Sequence, residues 1–351
     1  MIRVLVAEDS VTVRELLVQI LSSDPEIQVI GEAKNGMEAV EQAVRLKPDV
    51  ITMDVHMPEL DGLEATKEIM VRSPTPIVVV SSSHSARDVE LSLSAMRAGA
   101  LLVLPKPDDP RSDQFAGRQG NLLTMVKAMS SVKVVRRWTP RTSAPRPPAP
   151  SPLGPLGPVR VIAIGASTGG PAALERILKD LPGDFSAPIL VVQHIATGFA
   201  SGLARWLSGS ASLRVKIAEP GEMLRPRTVF IAPDDRHLGV GADGRIEVTA
   251  GPEVNGLRPS ATHLFESVAR SFGPGVVAVI LTGMGRDGVE GLRAVKIAGG
   301  QVIAQDESSS VVYGMPREAV TAGVVDIVAS IEDIAPRLRE RAGEREARRT
   351  P

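Results

Sequence analysis

Residues 139–158, TPRTSAPRPPAPSPLGPLGP, do more than any other stretch to restrict what this chain can fold into. Proline removes backbone donors and fixes φ, and the stretch has no apolar periodicity with which to bury surface. It reads as a stiff, extended spacer near the middle of 351 residues. The flanks are each long enough to build a core, so two domains are expected rather than one.

Both flanks alternate short apolar runs with amphipathic segments. Upstream, residues 2–7, 28–33, 50–53, 77–80 and 101–104 read as buried strands, and 11–21, 39–46, 63–71 and 89–98 as helices between them. Five such strands imply a doubly wound parallel sheet. Downstream, strands are expected at 159–164, 189–192, 229–231, 276–281 and 301–304, and helices at 172–181, 202–207, 262–272, 288–298 and 318–322. That half is also α/β, with a mainly parallel sheet. The boundaries read as a domain over 1–125, a linker over 126–158 (proline-rich from 139) and a second domain over 159–335. A charged tail, residues 336–351, completes the division; it reads as a solvated, fraying helix end.

Lys and Arg total 40 against 41 Asp and Glu, a formal net charge of -1. Nothing in that balance favours nucleic acid or an anionic membrane surface as a partner. Cysteine is absent, which excludes disulfides, thiolate nucleophiles and cysteine metal sites. No window reaches the ~18 apolar residues of a membrane span, and MIRVLVAEDS lacks a signal-peptide core. A cytoplasmic protein is expected.

Chemistry in open parallel sheets gathers beyond the carboxyl ends of the strands. Upstream, Glu8 and Asp9 follow the first run, Asp54 the third, Ser81 the fourth, and Lys106 with Pro107 the fifth. Three converging carboxylates suit a hard divalent cation such as Mg2+. A carboxylate can also accept a phosphoryl group, and Asp54, ending a central strand beside Glu8 and Asp9, is the candidate. Lys106 would neutralise phosphoryl oxygens and the Ser81 hydroxyl would donate to one. Any one of these residues alone reads as a solvated strand end; five at matched strand ends read as a site. AEDS, MDVHMPELDG, VVSSS and LPKP make residues 1–125 resemble response-regulator receiver domains, which are flavodoxin-like. The resemblance implies phosphorylation of Asp54 by a partner histidine kinase. Receivers often carry an aromatic residue three positions before the lysine; here it is Val103.

Downstream, GASTGGP (165–171) is a literal G-x-S-x-G turn between a strand and a helix, able to hold Ser167 exposed. Phosphate cradling competes with that reading, but dinucleotide-binding spacing wants glycine at position 167, and the Gly-Lys-Ser/Thr end of a P-loop is missing. A serine nucleophile needs a base and an orienting acid. His194 follows the apolar run 189–192, where a lone histidine would more often be structural. Asp287 lies in TGMGRDG after the run 276–281, where it could instead cap the next helix. The order Ser–His–Asp differs from that of lipase-type hydrolases.

GASTGGP, VVQHIATGFA, IAPDDRHL, LRPSATHLF, LTGMGRDG and QDESSSVVYGMPREAV make residues 159 to about 335 resemble the catalytic domain of chemotaxis protein-glutamate methylesterases. The resemblance implies Ser167 as nucleophile, His194 as base and Asp287 as its partner, with the Met284 N–H as oxyanion donor and Thr168 lining the site. It implies phosphorylation-activated hydrolysis of glutamyl methyl esters, and deamidation of glutamines, on the cytoplasmic helices of methyl-accepting chemoreceptors. A chemotaxis histidine kinase would be the phosphodonor, Mg2+ would serve phosphorylation only, and the esterase would need no cofactor. The unphosphorylated receiver is expected to pack over the esterase site. An idle esterase-like adaptor and a small-molecule esterase are the alternatives. His237, read as ending a strand, is expected to be structural and His263 to be secondary, His56 and His84 to lie in receiver loops, and Arg258 to pair structurally or to meet an acidic substrate. Arg286 is given no role.

Overall fold

The computed structural model describes residues 1–81, 86–107, 115–132, 134 and 158–343. The proline-rich residues 139–157, His84 and residues 344–351 lie outside that set.

The N-terminal body runs β1 (Ile2–Ala7), α1 (Val11–Ser22), β2 (Ile27–Ala33), α2 (Gly36–Leu46), β3 (Val50–Met53), α3 (Gly62–Arg72), β4 (Ile77–Ser81), α4 (Ala86–Ala98), β5 (Leu102–Pro105) and α5 (Phe115–Ser130). The strands form one parallel sheet in the order β2-β1-β3-β4-β5. Short polar residues start the first three helices: Ser10, Asn35 and Asp61 accept from the N–H of Val13, Glu38 and Glu64. Each cap holds a helix start at the loop pole, where the strands deliver their last residues.

The C-terminal body runs β6 (Val161–Ala166), α6 (Gly170–Asp180), β7 (Ile189–Gln193), α7 (Ala200–Ser210), β8 (Arg214–Ile217), β9 (Thr228–Ile231), β10 (His237–Val240), β11 (Ile246–Thr249), α8 (Ala261–Phe272), β12 (Val276–Ile280), α9 (Val289–Ile297), β13 (Gln301–Gln305), α10 (Met315–Thr321), β14 (Ile327–Ala329) and α11 (Ile331–Arg341). Seven parallel strands pair in the order β14-β13-β12-β6-β7-β9-β8, and β10 and β11 form a separate antiparallel hairpin. Central strands β6, β7 and β12 are buried along their whole length, as continuous Val/Ile/Leu/Ala runs require. The chain leaves β6 toward β7 on one side and returns as β12 on the other. That reversal opens a crevice beyond the carboxyl ends of these three strands.

Three expectations change. Residues 126–130 belong to α5, not to a linker, because Val126 and Met129 are fully buried in the receiver core. Residues 336–341 belong to α11, where Leu338 packs in the core beside Ile334 and Ala335, so this part of the charged segment is folded. His237 opens β10 rather than ending a strand. None of the described helices is long and apolar enough to cross a membrane.

The two bodies touch through α4. Val89 and Leu93 share one apolar cluster with Leu203, Trp206 and Leu207 of α7. A Cβ at Gly202 would stand 2.7 Å from both Leu93 Cδ1 and Val89 Cγ1, so the glycine permits the close approach. Arg97 lies 4.9 Å over the Trp206 ring and donates to the Trp206 carbonyl at 3.0 Å. Glu175 accepts from Trp206 Nε1 at 2.8 Å and stands 3.9 Å from Arg97 Nε.

Candidate active site

In the N-terminal body the sheet gathers every residue expected there at one pole. Asp54 and Glu8 are buried, and Asp9 is exposed beside them. Lys106 Nζ lies 2.8 Å from Glu8 Oε2 and 2.9 Å from Asp54 Oδ2, and the Val55 N–H donates to Asp54 Oδ1 at 2.7 Å. The loop after β3 folds back so tightly that a Cβ at Gly62 would fall 1.9 Å from the Asp54 carbonyl oxygen. Burial, together with the charge on Asp54, pushes the Glu8 carboxyl up to about 7 despite Lys106. Glu8, Asp9 and Asp54 each bring a carboxylate oxygen within 4.8 Å of the others. An acidic cluster of two buried carboxylates and one exposed, with one lysine and only hard oxygen donors, fits a divalent cation of the Mg2+ type. Ser81 Oγ is buried and makes no hydrogen bond to any described residue, so its hydroxyl is available to an incoming group. Val103, where receivers often carry an aromatic ring, is buried in β5.

The second crevice collects Ser167 beyond β6, His194 beyond β7 and Asp287 beyond β12. In-register pairing of Ala166 with Gln193, and of Gly165 with Ile280, brings the three strands to their ends together. The Ser167 N–H donates to the Thr282 carbonyl at 3.0 Å, and the His194 N–H to the Ala166 carbonyl at 2.9 Å. Gly169 takes φ 77° to turn the chain into α6. His194 Nε2 meets Asp287 Oδ2 at 2.9 Å. Ser167 Oγ makes no hydrogen bond to the imidazole here; apo sites often hold this contact open until substrate binds.

Asp287 does not cap α9, whose N-cap is Gly288. It sits instead at the N-terminus of α8, where its carboxylate accepts from Ser260 Oγ (2.7 Å), the Ala261 N–H (2.6 Å) and the Thr262 N–H (3.2 Å). A helix N-terminus is a favourable place for an anion. Burial alone would raise this carboxyl, but hydrogen bonding and charge from His194, then Ser260 and Ala261, hold it far below its ordinary value. It therefore stays ionised and fixes the imidazole through Nε2.

The turn after β12 completes the crevice. The Gly283 N–H donates to the Val312 carbonyl, and the Gly283 carbonyl accepts from the Gly314 and Met315 N–H groups. The Met284 N–H makes no hydrogen bond with any described residue. Thr168 is buried beside this turn, its carbonyl accepting from Thr282 Oγ1 at 2.9 Å. Sequence reasoning missed Ser260 and two glutamines. Gln193 ends β7, and Gln305 ends β13 with its Oε1 accepting from the Thr282 N–H at 2.8 Å. A glutamine at the end of a buried apolar run was the available signal for both. His237 is buried, stacks on His263 at 4.6 Å and reaches the Pro252 carbonyl at 2.9 Å. Arg258 pairs with Asp235 at 2.7 Å and donates to the Gly251 carbonyl.

A receiver-type acidic pole joined to an α/β body that gathers serine, histidine and buried aspartate at one crevice defines the class: a receiver-coupled serine hydrolase. The chain belongs to the CheB methylesterase family, which residues 162–338 match, while residues 4–112 match the response regulator receiver domain. It is 55% identical over 96% of both chains to protein-glutamate methylesterase/protein-glutamine glutaminase 4 of Myxococcus xanthus. Identity is 54% to protein-glutamate methylesterase/protein-glutamine glutaminase 3 of Anaeromyxobacter dehalogenans, over 96% of this chain and 98% of that one. The crystal structure of the Thermotoga maritima CheB methylesterase catalytic domain aligns with TM-score 0.51 and 41% identity, covering 52% of this chain and 98% of that one.

Proposed function

We propose that the chain hydrolyses glutamyl methyl esters, and deamidates glutamines, on the cytoplasmic helices of chemoreceptors, and that phosphorylation of Asp54 raises the rate. The contact that carries the reading is His194 Nε2 to Asp287 Oδ2 at 2.9 Å, beside the turn that holds Ser167. With the Nε2 proton held by Asp287, Nδ1 is the nitrogen left to accept a proton.

His194 takes the Ser167 hydroxyl proton as Oγ attacks the ester carbonyl. The Met284 N–H, free of any other partner among the described residues, would donate to the developing oxyanion. One such donor is typically worth about 3 kcal/mol of barrier. His194 returns the proton to the leaving methoxide, so methanol departs and Ser167 is acylated. His194 then deprotonates a water whose oxygen attacks the acyl carbon, and returns that proton to Ser167 Oγ as the acyl bond breaks, releasing the glutamate carboxylate. A glutamine side chain follows the same steps with ammonia as the leaving group. Asp287 holds the imidazole and balances its charge.

At the other pole Asp54 accepts the phosphoryl group from a chemotaxis histidine kinase. Mg2+ held by Glu8, Asp9 and Asp54 would neutralise phosphoryl charge. Lys106, already 2.9 Å from Asp54, would pair with a phosphoryl oxygen, and Ser81 would donate to another. The seat of α4 on α6 and α7 supports a receiver that restricts the esterase until phosphorylated.

The test is methanol release from methylated receptor by wild type and Ser167→Ala, each with and without a small phosphodonor and Mg2+. Serine-dependent release that rises with the phosphodonor is the expected result. Folded, phosphorylated protein that releases no methanol would overturn the reading.

A further inference from the structure

We infer that Gln193 is a positioning residue that sets the spacing between nucleophile and base. This rests on Ser167 and His194 acting as proposed above.

Gln193 is the last residue of β7 and is 4% exposed. Its Nε2 donates to the Ser167 carbonyl at 2.7 Å and to the His194 carbonyl at 2.8 Å. Both amide protons thus go to the two residues between which the catalytic proton must pass. No other side chain among the described residues bridges that pair. The backbone link between their strands stops at the His194 N–H to the Ala166 carbonyl. Beyond it, the Gln193 amide is what joins the two turns.

The other end of the amide is equally informative. Gln193 Oε1 is buried without a partner among the described residues, a condition that typically costs about 1–3 kcal/mol. An apolar side chain of the same length would avoid that cost but would leave the His194 carbonyl without a donor among the described residues, so the amide is kept for the two carbonyls it serves. A Cβ at Gly170 would fall 2.0 Å from Oε1, so the first turn of α6 is shaped around this side chain. The pair Gln193–Gly170 wedges the amide under the nucleophile turn and fixes where Ser167 Oγ stands relative to the imidazole.

Gln193→Met keeps the length and removes both donors. Gly170→Ala leaves the glutamine intact and pushes its amide aside. The full-length single variants and the double variant are assayed for kcat and KM of methanol release from methylated receptor. The rate of Ser167 labelling by a small fluorophosphonate, phosphorylation of Asp54 by a small phosphodonor, and melting temperature are measured alongside. In both single variants kcat and the labelling rate are expected to fall together by roughly tenfold or more, with receptor KM and Asp54 phosphorylation unchanged. The double variant should lose no more than the worse single variant, because both act on one amide. A lowered melting temperature with kcat and labelling per folded molecule intact would reduce Gln193 to packing and overturn the inference. Additive losses in the double variant would overturn it as well. Should Gln193→Met fail to fold, Gly170→Ala alone decides between the first two outcomes. Ser167→Ala, run alongside, separates failure of this inference from failure of the serine mechanism itself.

Discussion

Gly283 stands between Ser167 and Met315 and leaves no room for a methyl group. A Cβ there would lie 2.6 Å from Ser167 Cβ and 2.5 Å from Met315 Sδ. The methionine end can move, but Ser167 Cβ can retreat only by carrying Oγ with it. Gly283→Ala is therefore expected to lower kcat for methanol release on the order of a hundredfold, while the circular dichroism spectrum and Asp54 phosphorylation stay as in wild type. Asp287 yields a pH dependence. Its folded carboxyl lies below the ordinary 3.8, so its contribution to stability is fully present above that value. The contribution is lost as pH falls toward the folded value. Asp287→Asn lacks it at every pH, and leaves Ser260 and the first N–H groups of α8 facing an amide. The melting-temperature gap between wild type and Asp287→Asn should be widest near neutrality and narrow below about pH 4. A gap independent of pH would mean that the charge contributes nothing to the fold.

At the scale of elements, continuous apolar runs announced the central strands, since a parallel strand buried on both faces has no polar residue to disguise it. Ser167, His194 and Asp287, the proposed catalytic residues, could be singled out for the same reason: each follows such a run. Elements with mixed surfaces were harder to read. Strand β8 at the sheet edge reads Arg-Val-Lys-Ile, and β11, the outer strand of the hairpin, alternates buried or half-buried residues with exposed ones. In α5 the buried Leu122, Val126 and Met129 make a narrow stripe among Gly117, Gly120 and polar residues. The side chains that hold the site were also hidden, because Ser260 and Gln193 act through contacts 27 and 26 residues away in sequence. Helix α11 shows the cost of judging by charge. Arg337, Arg339, Glu340 and Arg341 suggest a solvated tail, but Leu338 is fully buried on the opposite face and Arg341 Nε donates to Gln301 Oε1 at 2.8 Å. Leu338→Ala should cost about 2–5 kcal/mol in denaturant unfolding of the C-terminal domain. A surface-like loss of less than about 0.5 kcal/mol would return this helix to the tail.

The whole molecule joins two sheets whose chemical poles are served by different strands, so communication between them must pass through the surfaces that meet. Two contacts offer a route. Helix α4, which follows the Ser81 strand, lies on α6 and α7 of the esterase. Val311 packs on the receiver cluster of Leu104, Leu122 and Val126, and a Cβ at Gly169 would stand 2.6 Å from Val311 Cβ. One residue therefore separates the receiver core from the turn that carries Ser167. If the α4 seat restrains the enzyme, weakening that seat without touching either site should raise basal activity. Gly202 is the place to do so, because it admits Val89 and Leu93 at a distance no larger residue allows. Leucine there favours helix α7 over glycine by close to 1 kcal/mol, so the esterase itself should fold unharmed. In the full-length protein, Gly202→Leu should raise methanol release several-fold without phosphodonor and leave little further activation when phosphodonor and Mg2+ are added. Deleting residues 1–140 sets the ceiling for that rise. A Gly202→Leu protein with wild-type basal rate and wild-type activation would show that α4 docking does not restrain the esterase, and the contact through Val311 would then carry the control.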